Sequence, residues 1–407
     1  MTDTQTLTPA LARVTKGGLC SGCGACRAIA PTAIIMELAG DGFLRPRQTS
    51  VVTSDQDAAI SKACPGLGQC VSNLGRKDHP LWGPFLEMHT GFATDPELRF
   101  KASSGGALSG MLAWLIESGE VKSALTNTAD PDRAVANVPI LAKNRSDIAR
   151  AAGSRYAPSA PLAALDMVED GPSAFVGKPC DVVALRVMQT TDPVLAAQFP
   201  VVLSFFCAGV PSLAGGESIL EALGVTPKTT AVFRYRGHGW PGRATAVAKD
   251  GSETSMTYEE SWGSRLSPRV QHRCKLCADG TGVAADLVFA DAWETDTTGY
   301  PLFEEADGIS LIVARTRKGA DLLARAIAAG ALEAQDFDVT KLAAMQPGQT
   351  RRRQALAARL AGQRLLGRTI PKYRGLSLRK AAQTGSLKWA LRNLIGMIRR
   401  GRSAGKD

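Results

Sequence analysis

Two kinds of hydrophobic pattern alternate along the chain. Short apolar runs of strand length, among them "SAFVG", "VVLSFF" and "ADLVFA", are bounded by turn residues or cysteines and predict buried strands. After Gly106, apolar residues recur instead at the spacing of a helix, at Leu108, Met111, Leu112, Leu115 and Ile116. Buried strands interspersed with such helices predict an α/β core.

The C-terminal part is strongly basic. Residues 351–407 contain 16 Lys and Arg and one acid, Asp407, so their net charge of +15 leaves −5 for residues 1–350 of a chain whose total is +10. The stretch "GSLKWALRNLIGMIRRGR" predicts an amphipathic helix with cations around an apolar face, which is formed by Leu387, Leu391, Leu394 and Ile398. Such a helix suits an anionic membrane surface, an acidic protein partner or a solvated face. Nucleic acid is disfavoured, because no nucleic-acid-binding fold accompanies this charge.

The 407 residues, 44% of them hydrophobic, suffice for two or three domains with cores of their own. The composition divides the chain into a cysteine-rich segment at 1–85, which we expect to be a ferredoxin-like iron-sulfur segment, an α/β core at 86–345 and a basic helical tail at 346–407. The N-terminus lacks the apolar stretch of a signal peptide, and no run approaches the roughly 18 apolar residues of a membrane span. We therefore expect a cytoplasmic protein, peripheral at the inner face of the membrane if the tail binds lipid.

The first three cysteines have the spacing of an iron-sulfur loop. Nine cysteines in a cytoplasmic protein indicate metal or redox chemistry, because the cytosol keeps thiols reduced. Cys20, Cys23 and Cys26 follow the C-x-x-C-x-x-C pattern, but Ala30 replaces the fourth cysteine that a ferredoxin run carries before proline. Cys64 precedes a proline 38 residues after Cys26, as a remote cluster ligand does. We expect these four thiols to hold a 4Fe-4S cluster, since a zinc site more often pairs two C-x-x-C knuckles.

Four further cysteines lie at predicted strand ends or in a knuckle. Cys180 and Cys207 each follow an apolar run, and Cys274 and Cys277 form a C-x-x-C pair before another. Because strand ends of one sheet lie near each other in α/β folds, the four can converge on a second cluster. The alternative is that Cys180 and Cys207 are core thiols and only the knuckle binds metal. Cys70 has no partner by spacing and is either a small half-buried residue or a substitute for Cys64.

Six motifs are similar to those of the coenzyme F420 hydrogenase/dehydrogenase beta-subunit family. They occur in the family's order as "KASSGGALSGMLAWLIESGEV", "AAGSRYAPSAPLAAL", "FVGKPCDVVALRVM", "FFCAGVPS", "FRYRGHGWPG" and "RCKLCADGTGVAADLVFADAW". The resemblance covers residues from about 15 to about 330. This family includes deazaflavin-reactive subunits and ferredoxin-dependent reductases such as 7-hydroxymethyl chlorophyll a reductase. The resemblance implies the family's fold, FAD beside a 4Fe-4S cluster, and cluster ligation by Cys180, Cys207, Cys274 and Cys277.

Two segments carry groups that suit a flavin. The first precedes a predicted helix, whose N-terminal amides and dipole suit a pyrophosphate, although the same residues are also ordinary helix caps. In the second, Arg155 would contact phosphate and Tyr156 would stack on or hydrogen-bond the ring. Deazaflavin-reactive relatives often have Lys in place of Arg155, which preserves charge but changes the contact geometry. The proposed FAD residues are Ser103, Ser104, Gly105, Gly106, Gly153, Ser154, Arg155 and Tyr156.

The loop "RYRGHGWPG" concentrates Arg234, Arg236, His238 and Trp240 between glycines. His238 is a candidate catalytic proton donor because histidine titrates near neutrality, and the alternative is an ordinary surface histidine. Asp291 ends a predicted strand, where ligands bind in open sheets, or it braces the adjacent turn.

These features predict an iron-sulfur flavoprotein oxidoreductase. It would pass electrons from a ferredoxin or another acidic electron carrier through two 4Fe-4S clusters to FAD and a two-electron substrate. The alternative is an electron-transfer subunit of a larger complex, including a deazaflavin-reactive hydrogenase or dehydrogenase. The family does not choose among deazaflavin, a tetrapyrrole and a small metabolite as substrate.

Overall fold

The computed structural model describes residues 7–168, 171–293, 302 and 304–403. Its N-terminal part joins short helices and hairpins. A capping box begins the longest of these helices, where the Thr53 side chain accepts a hydrogen bond from the Gln56 amide. The elements are α1 (Pro9–Lys16), α2 (Ala25–Ile29), β1 (Ile34–Leu38), β2 (Leu44–Gln48), α3 (Ser54–Ala63), β3 (Gly68–Cys70), β4 (Lys77–His79) and β5 (Gly83–Phe85).

The strands that follow form a main sheet and a small one. They are β6 (Glu87–Ala93), β7 (Ser123–Ala129), β8 (Asn137–Ala142), β9 (Ser173–Gly177), β10 (Val201–Phe205), β11 (Thr230–Arg234), β12 (Ala244–Ala248), β13 (Glu253–Met256), β14 (Leu287–Asp291), β15 (Ser310–Ala314) and β16 (Leu332–Asp336). Among the described residues, the main sheet has the order β16-β6-β15-β14-β10-β9-β7-β8, and β11, β12 and β13 form the small sheet.

The centre of the main sheet is parallel and its sides are antiparallel. β7, β9, β10 and β14 run parallel, whereas β8 at one side and β15, β6 and β16 at the other pair antiparallel. The carboxyl ends of the parallel strands therefore meet at one edge, where open sheets bind ligands. The prediction of a mixed α/β core with buried strands at "SAFVG", "VVLSF" and "LVFAD" is confirmed.

Helices cover both faces of the main sheet. They are α4 (Pro96–Lys101), α5 (Ala107–Glu117), α6 (Arg145–Ala151), α7 (Pro179–Gln189), α8 (Pro193–Gln198), α9 (Leu213–Ala222), α10 (His272–Lys275), α11 (Arg317–Ala328) and α12 (Leu342–Met345). Val176 of β9 lies in the apolar cluster under α5 and α11, and the next residue back, Phe175, lies in the cluster under α7. Alternate residues of the strand thus serve two cores, which is why these runs are continuously apolar.

The predicted boundary at residue 85 does not separate two cores. Trp82 is fully buried and belongs to the same apolar cluster as Phe175. The buried Arg315 guanidinium donates to the carbonyls of Trp82 at 2.8 Å and Pro84 at 2.9 Å. The end of the cysteine-rich segment is therefore part of the α/β core.

The basic tail is also built into the molecule. Its elements are α13 (Pro347–Leu365), β17 (Lys372–Arg374), α14 (Leu378–Gln383) and α15 (Leu387–Ser403). β17 pairs parallel with β3 of the N-terminal part. The Arg353 guanidinium donates to the carbonyls of Ala278 at 2.6 Å and Pro80 at 2.9 Å. The described tail residues therefore pack on the rest of the chain and do not form a separate unit; residues 404–407 lie outside the described part.

The amphipathic helix lies where it was predicted, as α15, but its orientation differs in part. Met397 is 1% exposed and faces α13, whereas Leu387 and Leu391 are 90% and 57% exposed. Leu394 and Ile398, predicted to share the free apolar face, are half-buried. No described helix is long and apolar enough to cross a membrane.

Candidate functional site

The first cysteine set, Cys20, Cys23, Cys26 and Cys64, comes together in the N-terminal part. Cys23 precedes α2, Cys26 lies in its first turn, and Cys64 ends α3, which packs against α2. Burial raises the pKa of Cys26 well above its usual value, and the charges of Cys23, Cys20 and Cys64 raise it further. Burial likewise raises the pKa of Cys23 to about 12 and that of Cys64 to about 11. A cationic metal group is what would hold such thiols as thiolates.

Glycines allow the backbone to close tightly around this set. Gly24 has a φ of 89°, and a Cβ on it would lie 2.6 Å from the Ala163 amide nitrogen. A Cβ on Gly66 would lie 2.4 Å from the Leu19 carbonyl oxygen and 3.4 Å from the Cys64 sulfur. Both positions therefore require glycine, because a side chain would occupy space held by backbone.

The second cysteine set, Cys180, Cys207, Cys274 and Cys277, lies at the carboxyl edge of the main sheet. Cys180 follows β9 in the first turn of α7, Cys207 follows β10, and the other two belong to α10 and the turn after it. Burial raises the pKa of Cys207 to about 12, and the charges of Cys274 and Cys277 also raise it. The Cys274 sulfur accepts a hydrogen bond from the Val210 amide at 3.4 Å.

The two sets are neighbours. Burial raises the pKa of Cys180, and charges on Asp181, Cys207 and Cys23 raise it further. Asp181 in turn raises the pKa of Cys23, after the larger effect of burial. Cys23 of the first set and Cys180 of the second set are therefore close enough to interact electrostatically.

Within the described ranges, no group of three or more His, Cys, Asp and Glu side chains is arranged to hold a single metal ion. A 4Fe-4S cluster distributes its thiolates over different irons. Four partly or fully buried thiols in each set, glycine spacing and amide groups directed at sulfur fit such a cluster. The ligand sets themselves stay predictions.

A cavity of about 300 Å³ opens beside the second set. Its walls are formed where β7, β9, β10 and β14 end, and they combine hydroxyl and backbone groups with aromatic rings. Cys207 is part of the wall. Size, composition and position at the strand ends are those of a small-molecule site.

Seven of the eight predicted FAD residues line this cavity. Gly105 lies outside the lining. Ser103 and Ser154 join the two predicted segments through their hydroxyl oxygens, 2.6 Å apart. α5 starts directly after Gly106, which has no side chain to cap the helix, and the Ala107 amide donates to the Ser310 hydroxyl at 3.3 Å. The two segments thus form one wall with the start of a helix, as a phosphate group requires. The lining residues among the eight are Ser103, Ser104, Gly106, Gly153, Ser154, Arg155 and Tyr156.

Most N–H donors of the Arg155 guanidinium are used in hydrogen bonds within the protein. Its Nε donates to Asn137 at 2.6 Å, and its Nη2 donates to the carbonyls of Ala134 at 2.7 Å and Ala136 at 2.8 Å. A weaker contact of 3.4 Å joins Nη1 to the Phe233 carbonyl. Arginine has five N–H donors, so at most one Nη1 hydrogen remains for a phosphate. A phosphate contact by Arg155 would therefore use a single donor, and that contact stays a prediction.

Arg236 and Asp291 form a buried ion pair at the cavity wall. The guanidinium donates from Nη1 to Oδ2 at 3.0 Å and from Nη2 to Oδ1 at 2.9 Å. Arg236 also lies over the ring of Tyr258, 4.6 Å from its centroid. The Trp240 indole donates to Asp291 at 3.3 Å. Asp291 is thus a fixed acceptor that faces the cavity, and two loop residues named from the sequence hold it.

His238 is not brought to this site. It is exposed in a turn with a φ of 56°, its ring lies 5.1 Å from that of Phe100, and it is absent from the cavity lining. Partial burial and the cations Arg234 and Lys101 lower its pKa. The loop turns His238 outward and Arg236 inward, so the proposed catalytic role of His238 has no structural support.

Several lining residues were missed from the sequence. Lys178 is buried and donates to Asp181 at 2.8 Å and to the Ser159 hydroxyl at 2.9 Å. Its place two residues before Cys180 was a usable signal. Gln349 lines the cavity from α13 and donates to the Cys207 carbonyl at 2.9 Å. No local pattern marks that contact, because it depends on the tail folding back.

Comparisons with known proteins agree on one family, the coenzyme F420 hydrogenase/dehydrogenase beta subunits. The N-terminal part of that family matches residues 88–166, and its C-terminal part matches residues 172–340. The F420 hydrogenase subunit beta of Methanothermobacter thermautotrophicus is 23% identical over 269 residues, or 64% of this chain and 87% of the relative. A chain of the F420-reducing NiFe hydrogenase complex from Methanosarcina barkeri shares the fold, with a TM-score of 0.53 at 19% identity over 70% of this chain and 96% of that one.

The matched ranges contain the second cysteine set and the cavity residues from the main sheet. The first cysteine set and the whole basic tail lie outside them. Because the two ranges together span more than half of the sequence, the chain belongs to the coenzyme F420 hydrogenase/dehydrogenase beta-subunit family.

Proposed function

We propose that this protein is an oxidoreductase subunit that binds two 4Fe-4S clusters and FAD and exchanges electrons between a one-electron partner and a two-electron carrier of the deazaflavin type. The comparisons support this electron-transfer subunit better than a free-standing reductase, since both similar proteins are named as parts of F420 hydrogenases. Side chains of this chain would recognise the partner protein and the two-electron carrier.

One observation carries the proposal. Cys207, a predicted ligand of the second cluster, lies in the wall of the cavity that seven predicted FAD residues line. A one-electron group on the second set and a two-electron group in the cavity would therefore be adjacent. Adjacent sites of these two kinds are what a converter between one- and two-electron chemistry needs.

The spatial order of the two cysteine sets and the cavity supports the same route of electron transfer. The first set meets the second at Cys23 and Cys180, and the second meets the cavity at Cys207. When bound, the clusters supply one-electron chemistry and the flavin links it to two-electron chemistry. The fold would therefore place the second cluster between the first cluster and the flavin.

Side chains around the cavity would bind and orient the ring. Tyr156 and Trp262 lie 4.9 Å apart, and Tyr258 and Trp293 lie 5.7 Å apart, between ring centroids. These four rings line the cavity and would exclude water from a flavin beside them. Asp291, held by Arg236, offers a fixed acceptor for a ring N–H.

Two features bear on the partner. The first cysteine set lies outside the matched family ranges, which favours an electron entry point for a ferredoxin or another acidic carrier. The exposed part of α15 carries Leu387 and Leu391 beside the exposed cations Lys388 and Arg392. This surface suits binding to an anionic membrane. It also suits the acidic carrier if that carrier is bound through charge alone.

The test is anaerobic purification of the full chain with iron, sulfide and flavin measured. We expect about eight irons and one FAD per chain, and bleaching of oxidised F420 when an electron donor is supplied. The Cys207→Ser variant should lose about four irons and the F420 reaction, whereas Cys70→Ser, at an exposed position, should lose neither. Wild-type F420 reduction by Cys207→Ser would contradict the proposed route.

A further inference from the structure

Arg273 lies between the two cysteine sets. It immediately precedes Cys274 of the second set in α10. Its Nη2 donates to the carbonyl of Pro65 at 2.6 Å, and Pro65 immediately follows Cys64 of the first set. The residue is 2% exposed, so one buried side chain joins the segments that carry both sets.

The remaining donors of this guanidinium are buried without a hydrogen-bond acceptor. Nε and Nη1 have none in the described part of the structure, and the described ion pairs do not include Arg273. Buried donors on a charged group are costly when they stay unpaired. The Tyr373 hydroxyl lies beside this guanidinium, and cysteines of both sets, whose sulfurs accept hydrogen bonds, also surround it.

The electrostatic neighbours of Arg273 come from both sets. The Tyr373 hydroxyl and the sulfurs of Cys277, Cys180 and Cys274 lie close enough to interact electrostatically with its guanidinium. Cys64 of the first set interacts with it in the same way. The cation therefore lies near one thiol of the first set and three thiols of the second.

We propose that Arg273 is a shared counter-ion of the two clusters, a positioning residue that makes the one-electron reduction of both more favourable. This rests on the proposed function, because it requires both sets to hold clusters. Reduction of either cluster by a one-electron donor adds one electron and one negative charge, with no proton taken up and no bond broken. A fixed buried cation stabilises that added charge.

The expected effect is about tenfold in the equilibrium constant for reduction of each cluster, from one unit charge at an intermediate effective dielectric constant. For a one-electron couple, tenfold corresponds to about 59 mV. Removal of the charge should therefore lower both midpoint potentials by about that amount.

The experiment compares Arg273→Gln with Arg273→Lys in the full-length protein, purified anaerobically. The glutamine is neutral but still has an amide donor for the Pro65 carbonyl, whereas the lysine keeps the charge. Iron is counted, and midpoint potentials are measured by a redox titration followed by electron paramagnetic resonance. Arg315→Gln is the matched control, since Arg315 is equally buried, also has an unpaired Nε, and bonds carbonyls away from both sets.

Two outcomes support the proposal. Either both potentials fall in Arg273→Gln and not in Arg273→Lys or Arg315→Gln, or both clusters are lost in Arg273→Gln and retained in Arg273→Lys. Unchanged potentials, a change at one cluster alone, equal effects of Gln and Lys, or failure of both variants to fold would overturn it. A wild-type chain with fewer than about eight irons would refute the proposed function itself, and with it the shared counter-ion.

Discussion

Gly24 offers a direct test of how tightly the first cysteine set is enclosed. The change is Gly24→Ala, between Cys23 and α2. The added Cβ would meet the Ala163 amide nitrogen at 2.6 Å and the Ala163 Cβ at 2.9 Å, and the φ of 89° is strained for any residue other than glycine. The same loop is held by the Leu162 amide, which donates to the Cys23 carbonyl at 3.1 Å.

Two costs add at this position. A left-handed backbone costs a non-glycine residue about 1–2 kcal/mol. Overpacking against backbone that cannot rotate away costs a further 1–3 kcal/mol, approximately. The total of about 2–5 kcal/mol falls on the contact between the loop of Cys23 and residues 160–163. We expect the loop to shift and the first cluster to be lost.

The assay is iron and sulfide content of the anaerobically purified variant, with circular dichroism as the folding check. The expected result is a fall from about eight irons to about four, with FAD retained. Gly75→Ala is the matched control, because Gly75 has a φ of 77° but no atom within 4 Å of its Cβ position. It carries the backbone strain without the clash. The reasoning is refuted if Gly24→Ala keeps about eight irons and the thermal stability of Gly75→Ala.

Three further predictions follow. Cys64→Ser should remove about four irons while Cys70→Ser removes none, and the reverse iron counts would show that Cys70 is the ligand. A chain that begins at residue 86 should fail to keep FAD, because loss of the buried Trp82 alone costs about 3–5 kcal/mol; a folded product with bound flavin would restore the predicted boundary. Leu387→Glu with Leu391→Glu should abolish sedimentation with anionic vesicles at about 0.1 M salt and leave the cluster spectra unchanged.

The vesicle experiment has an internal control. Val194 is 77% exposed on α8, outside the basic tail, so Val194→Glu should leave vesicle binding unchanged. If the double variant of α15 still sediments, charge alone is responsible, and binding to an acidic electron carrier becomes the better account of this surface.

The strand ends, and the cysteines placed at them, could be predicted from the sequence because they depend on residues that are close together along the chain. A thiol directly after a buried strand has to lie at the sheet edge, and Cys207 does. The loop before α5 and the segment from Gly153 to Tyr156, both of which the sequence assigns to one flavin, line the same cavity. That these residues bind clusters and FAD stays a prediction.

Contacts between residues that are far apart along the chain could not be predicted from the sequence. The sequence predicts an exposed apolar face on α15, formed by its leucines. In the structure Asn393 and Met397 are the buried residues of this helix. Asn393 accepts a hydrogen bond from Arg359 of α13 at 2.9 Å. Trp82 falls inside the predicted segment 1–85 and is a residue of the α/β core. The loop turns through positive φ at Gly237, His238 and Gly239, and composition does not show which of its side chains then face the cavity.

The pairing of β17 with β3 has a consequence for biosynthesis. Lys372 lies opposite Gly68, so the strand that completes this part of the molecule is translated about 300 residues after its partner. At about 5–20 residues per second, the ribosome needs roughly 15–60 s to reach it. Until then Cys64 and the nascent loop before it lack their C-terminal cover. If the first set holds the proposed cluster, iron delivery during translation and protection from oxygen become matters of timing in the cell.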